Sequence, residues 1–510
     1  MIINDIKTLG QLKNSGYRHK SIKEELRHNL IQRLQTRQKE FSGIVGYDNT
    51  VIPDLERAIL SQHNIILLGL RGQAKTRIAR LMVNLLDEYV PVVQGSEIND
   101  DPFVPLSRYA RDLVAQLGDE TPIEWLHRSE RYTEKLATPD VSIADLIGDI
   151  DPIKAANLRL PYSDERVIHF GLVPRSHRGI FVINELPDLQ PRIQVSLFNI
   201  LQEGDIQIRG FKLRLPLDLQ FVFTANPEDY TNRGSIVTPL KDRIESQILT
   251  HYPPTIDISR QITQQEARLK PEQKEHIHIH HIAADLVEQI AFEARNSEYV
   301  DAKSGVSARL TISAYENLMS AAERRLLLNN EKNTAVRIGD FWGVIPAITG
   351  KIELVYEGEQ EGPFLVAQKL LSKALRTLFV KYFPTPNNAK KTGNTASKKK
   401  ITPETATGHD PVYQPIIHWF EQGETLDLTG DLQNADYARA LKSVPDLHNL
   451  VLKFYPKSSP IDQLFLMEFV LHGLSEYSLI SKSPLQTGFS FKDLLGGMFN
   501  FNDDDDADIS

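Results

Sequence analysis

The spacing of apolar residues along the chain changes character twice. Between residues 22 and 40, "IKEELRHNLIQRLQTRQKE", Leu26, Leu30 and Leu34 fall at helical spacing among charges, which predicts a leading amphipathic helix. From Phe41 onward, short apolar runs alternate with helical patterns: "NIILLG", "YVPVVQG", "GIFVIN", "LQFVFTAN" and "SQILTHYP". That alternation predicts a mostly parallel sheet with helices on both faces. After about Pro254 the strand signal fades, and residues 283–295 ("AADLVEQIAFEAR") and 308–328 ("ARLTISAYENLMSAAERRLLL") predict an all-α region. Residues 384–411 are rich in proline, lysine and small polar residues and read as a flexible linker. Helical periodicity then returns before the acidic end "FNDDDDADIS", which reads as disordered. The expected organisation is a helical segment at 1–40, an α/β core at 41–255, an all-α domain at 256–383, the linker, a C-terminal helical module at 412–500 and a tail at 501–510.

Composition narrows the picture by exclusion. A net charge of -9 with 25% charged residues lacks the basic excess of a dedicated nucleic-acid binder, so nucleic acid is not an expected partner. With no cysteine, disulfides, thiolate metal sites and cysteine nucleophiles are excluded. No run approaches the roughly 20 apolar residues of a membrane span, and the start of the chain lacks a leader pattern, so a cytoplasmic protein is expected.

Candidate chemistry begins at residues 65–77, "IILLGLRGQAKTR". A phosphate cradle follows G-x-x-x-x-G-K-[ST], with backbone N–H groups around the anion, a lysine on the outer phosphates and a hydroxyl on Mg²⁺. Gly69, Lys75 and Thr76 fall in place, Gly72 and Gln73 lie in the loop, and Ala74 stands where the second glycine belongs. Alanine costs little there if the backbone is helical, and more if it needs glycine-like angles. A plain strand–turn–helix connection with an incidental lysine fits the same residues. The strand in "RGIFVINELPDL" ends in Asn184-Glu185, where Asp-Glu is usual beside such a loop. Glu185 would orient the water that attacks the γ-phosphate; Asn184 would help order the Mg²⁺ shell without supplying charge. A third strand ends in Asn226, within reach of the γ-phosphate and that water, and two arginines follow, Arg243 and Arg309.

In this order the motifs resemble those of AAA+ ATPases, within them the branch of MoxR proteins and the magnesium chelatase I subunit. "DVSIADLIGDIDPIKA", "HFGLVPRSHRGIFVINELPDL" and "TANPEDYTNRGSIVTPLKDRIESQI" are similar to that branch, and "LFNILQEGDIQIRGFKLRLPLDLQFVFTANPED" resembles its helix-2 insertion. The resemblance implies a P-loop NTPase core, a helical lid and ATP with Mg²⁺ as cofactors. It further implies sensor-1 at Asn226, an arginine finger at Arg243, sensor-2 at Arg309, and adenine flanked by Ile44, Val45 and Gly46. A finger acting on a neighbour's ATP implies a ring, most often a hexamer. The branch implies a partner carrying a von Willebrand A domain; no metal-site signature of that domain occurs in this chain. Two other readings stand beside the motor: an assembly scaffold with little or no hydrolysis, and a magnesium chelatase motor subunit. In "EHIHIHHIAADL", His276, His278 and His280 are expected as an exposed face opposite Ile277 and Ile279, with a metal site the alternative.

Overall fold

A computed structural model describes residues 5–208, 211, 214–227, 235–386, 412–485 and 488–494. The chain divides into two compact units, Met1–Tyr252 and Pro253–Ser510.

Unit 1 is built on five strands: β1 (Ile65–Leu68), β2 (Tyr132–Leu136), β3 (Gly179–Asn184), β4 (Leu219–Ala225) and β5 (Ser246–Leu249). They lie in the order β5-β1-β4-β3-β2, and every neighbouring pair is parallel. Helices cover both faces, so the central strands are apolar along their whole length rather than alternating. Every residue of β1, β3 and β4 is buried. Alternate side chains supply two separate cores. Ile65, Leu67, Ile180, Val182 and Val222 pack with residues of the helices Ile22–Thr36, Val51–Leu60 and Lys75–Leu81. Ile66, Leu68, Phe181, Ile183 and Phe223 pack with Leu146, Phe170, Ile193 and Leu240 on the other face. The leading helix is fixed at its start by a capping box between Ser21 and Glu24.

One expected strand of the parallel sheet is replaced by another that was not expected. "YVPVV" (Tyr89–Val93) is outside the parallel sheet and pairs antiparallel with Ile123–His127. Pro91 has no N–H to give to a ladder and suits a two-stranded ribbon better than a central position. The edge of the sheet is instead Tyr132–Leu136, "YTEKL", whose charges are compatible with an edge strand and hide it from an apolar-run search. The insertion is present as a short hairpin, Asp205–Gln207 against Arg214–Pro216, after the helix Phe198–Glu203.

Unit 2 carries the long helices His281–Arg295, Arg309–Leu328 and Pro363–Tyr382, followed by a C-terminal extension. The extension adds the helix Pro460–Glu476 and a three-stranded antiparallel sheet with Gly488–Lys492 between Leu426–Thr429 and Ser481–Pro484. These strands are short and mixed in polarity, which leaves little alternation to read. Buried residues of both parts form one cluster, with Leu286, Phe379, Phe469 and Phe491 among them. At Gly473 a Cβ would stand 2.1 Å from the Phe379 ring, so the two long helices can approach this closely only over glycine. Most of the expected linker, residues 387–411, and the tail at 501–510 lie outside the described residues. Among the described residues no helix is long and apolar enough to cross a membrane.

Candidate nucleotide site

The loop after β1 is shaped by its neighbours. A Cβ on Gly69 would fall 1.9 Å from Thr250 Oγ1 and 2.1 Å from Gln73 Oε1, so this glycine is required by packing. Gly72 has φ 74°, and Ala74 has φ 58° and ψ 15°. That decides the question left open at Ala74: its backbone is left-handed, a conformation that costs an L-residue about 1–2 kcal/mol. The helix opens at Lys75, runs to Leu81 and tightens into a 3-10 turn over Met82–Leu85.

Parallel strands that end side by side place the next residues of distant segments together. Lys75 is buried, and its Nζ donates to Asn226 Oδ1 at 2.9 Å, to the Leu70 carbonyl at 3.1 Å and to the Gly69 carbonyl. Thr76 Oγ1 donates to Asn184 Oδ1 at 3.3 Å. Thr224, near the end of β4, donates to the same Oδ1 at 3.0 Å and accepts from the Glu185 N–H at 3.1 Å. Glu185 itself has φ 54°. Gln73 is held by Thr250 Oγ1, which donates to its Oε1 at 2.7 Å. The Tyr47 hydroxyl lies 3.1 Å from the Gln73 carbonyl and 2.7 Å from that of His251. Burial pushes the Tyr47 phenol up to about 12, so it remains a donor at neutral pH. This ties the segment holding Ile44, Val45 and Gly46 to the loop, with Ile44 packed on the core beneath.

Thr76 and Asn184 present neutral oxygens, and Asn184 Nδ2 in turn donates to Glu134 Oε1 at 2.6 Å. Hydroxyl, amide and carboxylate oxygens form the hard donor set that Mg²⁺ takes, usually with several waters kept. Within unit 1, Arg243 lies apart from this cluster in the described contacts. Arg243 donates to Gln202 Oε1 at 2.7 and 3.0 Å and to the Pro239 carbonyl at 2.7 Å, with its guanidinium over Phe198. Arg309 is exposed at the first position of its helix in unit 2. The histidine run is not one exposed face: His278 accompanies Asp462 at 2.7 Å, whereas His280 is buried and stacks on Phe465. Burial holds the His280 imidazole down to about 4, and among the described residues no cluster of three or more histidine, cysteine, aspartate or glutamate side chains is arranged to hold a metal.

Sequence reading did not find Glu134, Thr224, Thr250 or Tyr47. Thr224 and Thr250 could have been sought at strand ends; Glu134 and Tyr47 carry no local signal, because their partners are 50 and 26 residues away.

No protein-family model matches the chain. Over 224 residues it is 24% identical to the Magnesium-chelatase 38 kDa subunit of Cereibacter sphaeroides, 42% of this chain and 60% of that one. Over 127 residues it is 28% identical to the Hydrogenase transcriptional regulatory protein HoxA of Cupriavidus necator, 24% of this chain and 23% of the relative. The chain is a distant relative of the AAA+ ATPases. It spans less than two thirds of either curated relative, and the similarity fixes no branch of the superfamily. Among solved structures, RuvB of Thermotoga maritima matches 68% of this chain and 82% of its own at 13% identity and TM-score 0.35. NtrX of Brucella abortus in complex with ADP matches 68% and 67% at 14% identity and TM-score 0.36. Scores of this size add nothing to a fold that rests on strand order and direction.

Proposed function

We propose that this chain is a ring-forming ATPase of AAA+ type that binds ATP with Mg²⁺ at the carboxyl ends of β1, β3 and β4. Binding and hydrolysis would be coupled to remodelling or activating a partner, a protein with a von Willebrand A domain by resemblance to the MoxR and chelatase branch. The observation that supports this most directly is the 2.9 Å contact between Lys75 Nζ and Asn226 Oδ1, a cation that opens the loop helix and an amide just past β4 meeting beside the loop. In this reading Lys75 and the backbone of Gly69 to Ala74 hold the phosphates, and Thr76 and Asn184 hold the metal. Glu185 orients the attacking water, Asn226 senses the γ-phosphate, Arg243 reaches a neighbour's nucleotide and Arg309 takes the sensor-2 role by resemblance. The metal supplies charge to offset the phosphates. Self-association, most often sixfold, follows from Arg243 acting in trans.

Two observations favour a second reading, a nucleotide-dependent scaffold with slow or absent hydrolysis: the left-handed alanine in the loop and the uncharged Asn184. A magnesium chelatase motor subunit has only the 24% identity in its support. Titration with a fluorescent ATP analogue, followed by phosphate-release assays on the assembled protein, separates these readings. Lys75→Ala is expected to weaken binding at least about a hundredfold, about 2.7 kcal/mol. Glu185→Gln should keep the affinity and stop release. Wild-type protein without affinity for ATP·Mg²⁺ rejects the reading; tight binding without turnover selects the scaffold.

A further inference from the structure

Asn184 can offer a metal shell an oxygen but no charge, and its amide can sit either way round. Glu134 answers both deficits. In the β2–β3 register Glu134 lies opposite Val182, two residues before Asn184, so both side chains project from the same face of the sheet. Glu134 Oε1 accepts from Asn184 Nδ2 at 2.6 Å. An ionised carboxylate only accepts hydrogen bonds, so the NH₂ group must turn toward Glu134. Oδ1 is thereby left for the hydroxyls of Thr224 and Thr76, at 3.0 and 3.3 Å. A charge-assisted bond at the nitrogen end also draws electron density onto Oδ1 at the other.

We propose that Glu134 is a positioning residue for the Mg²⁺–nucleotide site: Asn184 gives the oxygen, Glu134 gives the charge and the orientation, and together they replace one aspartate. The proposal rests on the nucleotide-site reading above. Glu134 has two further partners, Arg80 through Nε at 2.9 Å and Nη2 at 3.2 Å, and the Tyr132 hydroxyl at 3.0 Å. The Arg80 side chain is 64% exposed against 23% for Glu134, so solvent screens that pair and leaves the carboxylate's field toward Asn184 largely in place.

The test is the Mg²⁺ dependence of binding a non-hydrolysable ATP analogue, measured by fluorescence with free Mg²⁺ varied and with EDTA. Glu134→Gln is expected to raise the Mg²⁺ concentration for half-maximal effect about tenfold, with the EDTA affinity unchanged. Asn184→Asp in the Glu134→Gln background should restore the wild-type Mg²⁺ dependence; in the wild-type background it would set two carboxylates in hydrogen-bond contact and bring no gain. Arg80→Met discriminates a purely structural role. If Glu134 only fastens β2 to the loop helix, Arg80→Met and Glu134→Gln shift the Mg²⁺ dependence alike; if its charge acts at the site, Arg80→Met leaves it unchanged or tightens it. Parallel shifts, an unshifted Glu134→Gln, or absence of rescue in the double variant overturns the proposal. Wild-type protein that binds no nucleotide under either condition overturns the site reading first, and this inference with it.

Discussion

The two ends of the central sheet hold polar groups of different kinds. At the amino ends, Asn64, Arg131, Arg178, Asp218 and Glu245 immediately precede the five strands, and each is fastened. Arg131 forms a bidentate pair with Glu25 at 2.6 and 2.7 Å, with side chains 1% and 4% exposed, and its Nε donates to the Arg178 carbonyl at 2.8 Å. Arg178 lies 3.2 Å from Asp101, Asp218 accepts from the Ile22 N–H at 2.8 Å and Glu245 from the Asn64 N–H at 2.9 Å. At the carboxyl ends the hydrogen bonds run between lysine, amides, hydroxyls and loop carbonyls. Buried ion pairs between distant segments lock those segments; the hydrogen bonds that a lysine, amides and hydroxyls make at the carboxyl ends can be exchanged for those of a ligand. Ligands of open parallel sheets sit at the carboxyl ends. In this unit the opposite end fastens the helix Ile22–Thr36.

Arg131→Met is expected to separate the two ends most strongly. It strands Glu25 as a buried charge and is expected to cost about 3–5 kcal/mol, read from the urea midpoint of unit 1. Trp125 reports that midpoint once the other two tryptophans are replaced, as Trp342→Phe and Trp419→Phe. Nucleotide affinity of the folded protein should stay unchanged, the reverse of the profile expected for Lys75→Ala. Lost affinity with unchanged stability would show that the amino end is not a separate fastening.

A smaller effect sets two neighbours at the amino end against each other. Burial pushes the Asp218 carboxyl up to about 6, whereas burial and the Arg178 charge hold the His177 imidazole down to about 4. His177 Nδ1 also accepts from the Asp218 N–H at 2.9 Å, which protonation at that nitrogen would abolish. Folded Asp218 holds a proton that the unfolded chain has released, so its contribution is present below the ordinary carboxylate range and is lost as pH rises through about 6. Folded His177 lacks a proton that the unfolded chain holds, so its contribution is present above about 6.5 and is lost as pH falls through about 4. The two slopes cancel in the wild type. Asp218→Asn leaves the histidine alone, and stability should rise between about pH 4 and 6.5 by roughly 1–3 kcal/mol, measured as urea midpoints across that range. His177→Asn should reverse the slope.

The carboxyl end was largely legible in the sequence because its parts are local: a buried strand, a glycine, a lysine opening a helix, and polar residues closing two more apolar strands. Residues 65–77 contain their own explanation. The amino end was not legible, because Glu25 and Arg131 are 106 residues apart and no local period marks either as a partner. The same distance problem hid Thr250, 177 residues from Gln73. Strand β2 was missed for another reason: as an edge it carries Glu134 and Lys135, and hydrophobicity alone preferred the more apolar Tyr89–Val93. The candidate roles of Arg243 and Arg309 came from resemblance, and an arginine serving a second copy, as proposed for Arg243, has no need to meet Lys75 of its own chain.

The smallest predicted effect bears on strain, which does not by itself separate the two ends. Arg178 at the amino end has φ 61°, beside 58° at Ala74 and 54° at Glu185. What separates them is compensation. Arg178 is anchored through Asp101 and through the Pro91 carbonyl, to which its Nη1 donates at 2.5 Å. Ala74 has only a methyl group and no polar side chain to offset its geometry. Glycine there removes a left-handed penalty of about 1–2 kcal/mol but adds about 0.4–1 kcal/mol of unfolded-chain entropy. Ala74→Gly should therefore stabilise unit 1 by about 0.5 kcal/mol, a rise of about 1–2 °C in Tm, by calorimetry of the nucleotide-free protein. A fall in Tm would mean that the alanine methyl is packed to advantage and that the loop is relaxed in its own sequence. A rise accompanied by tighter nucleotide binding would identify Ala74 as the residue that keeps this loop from its best phosphate-binding shape.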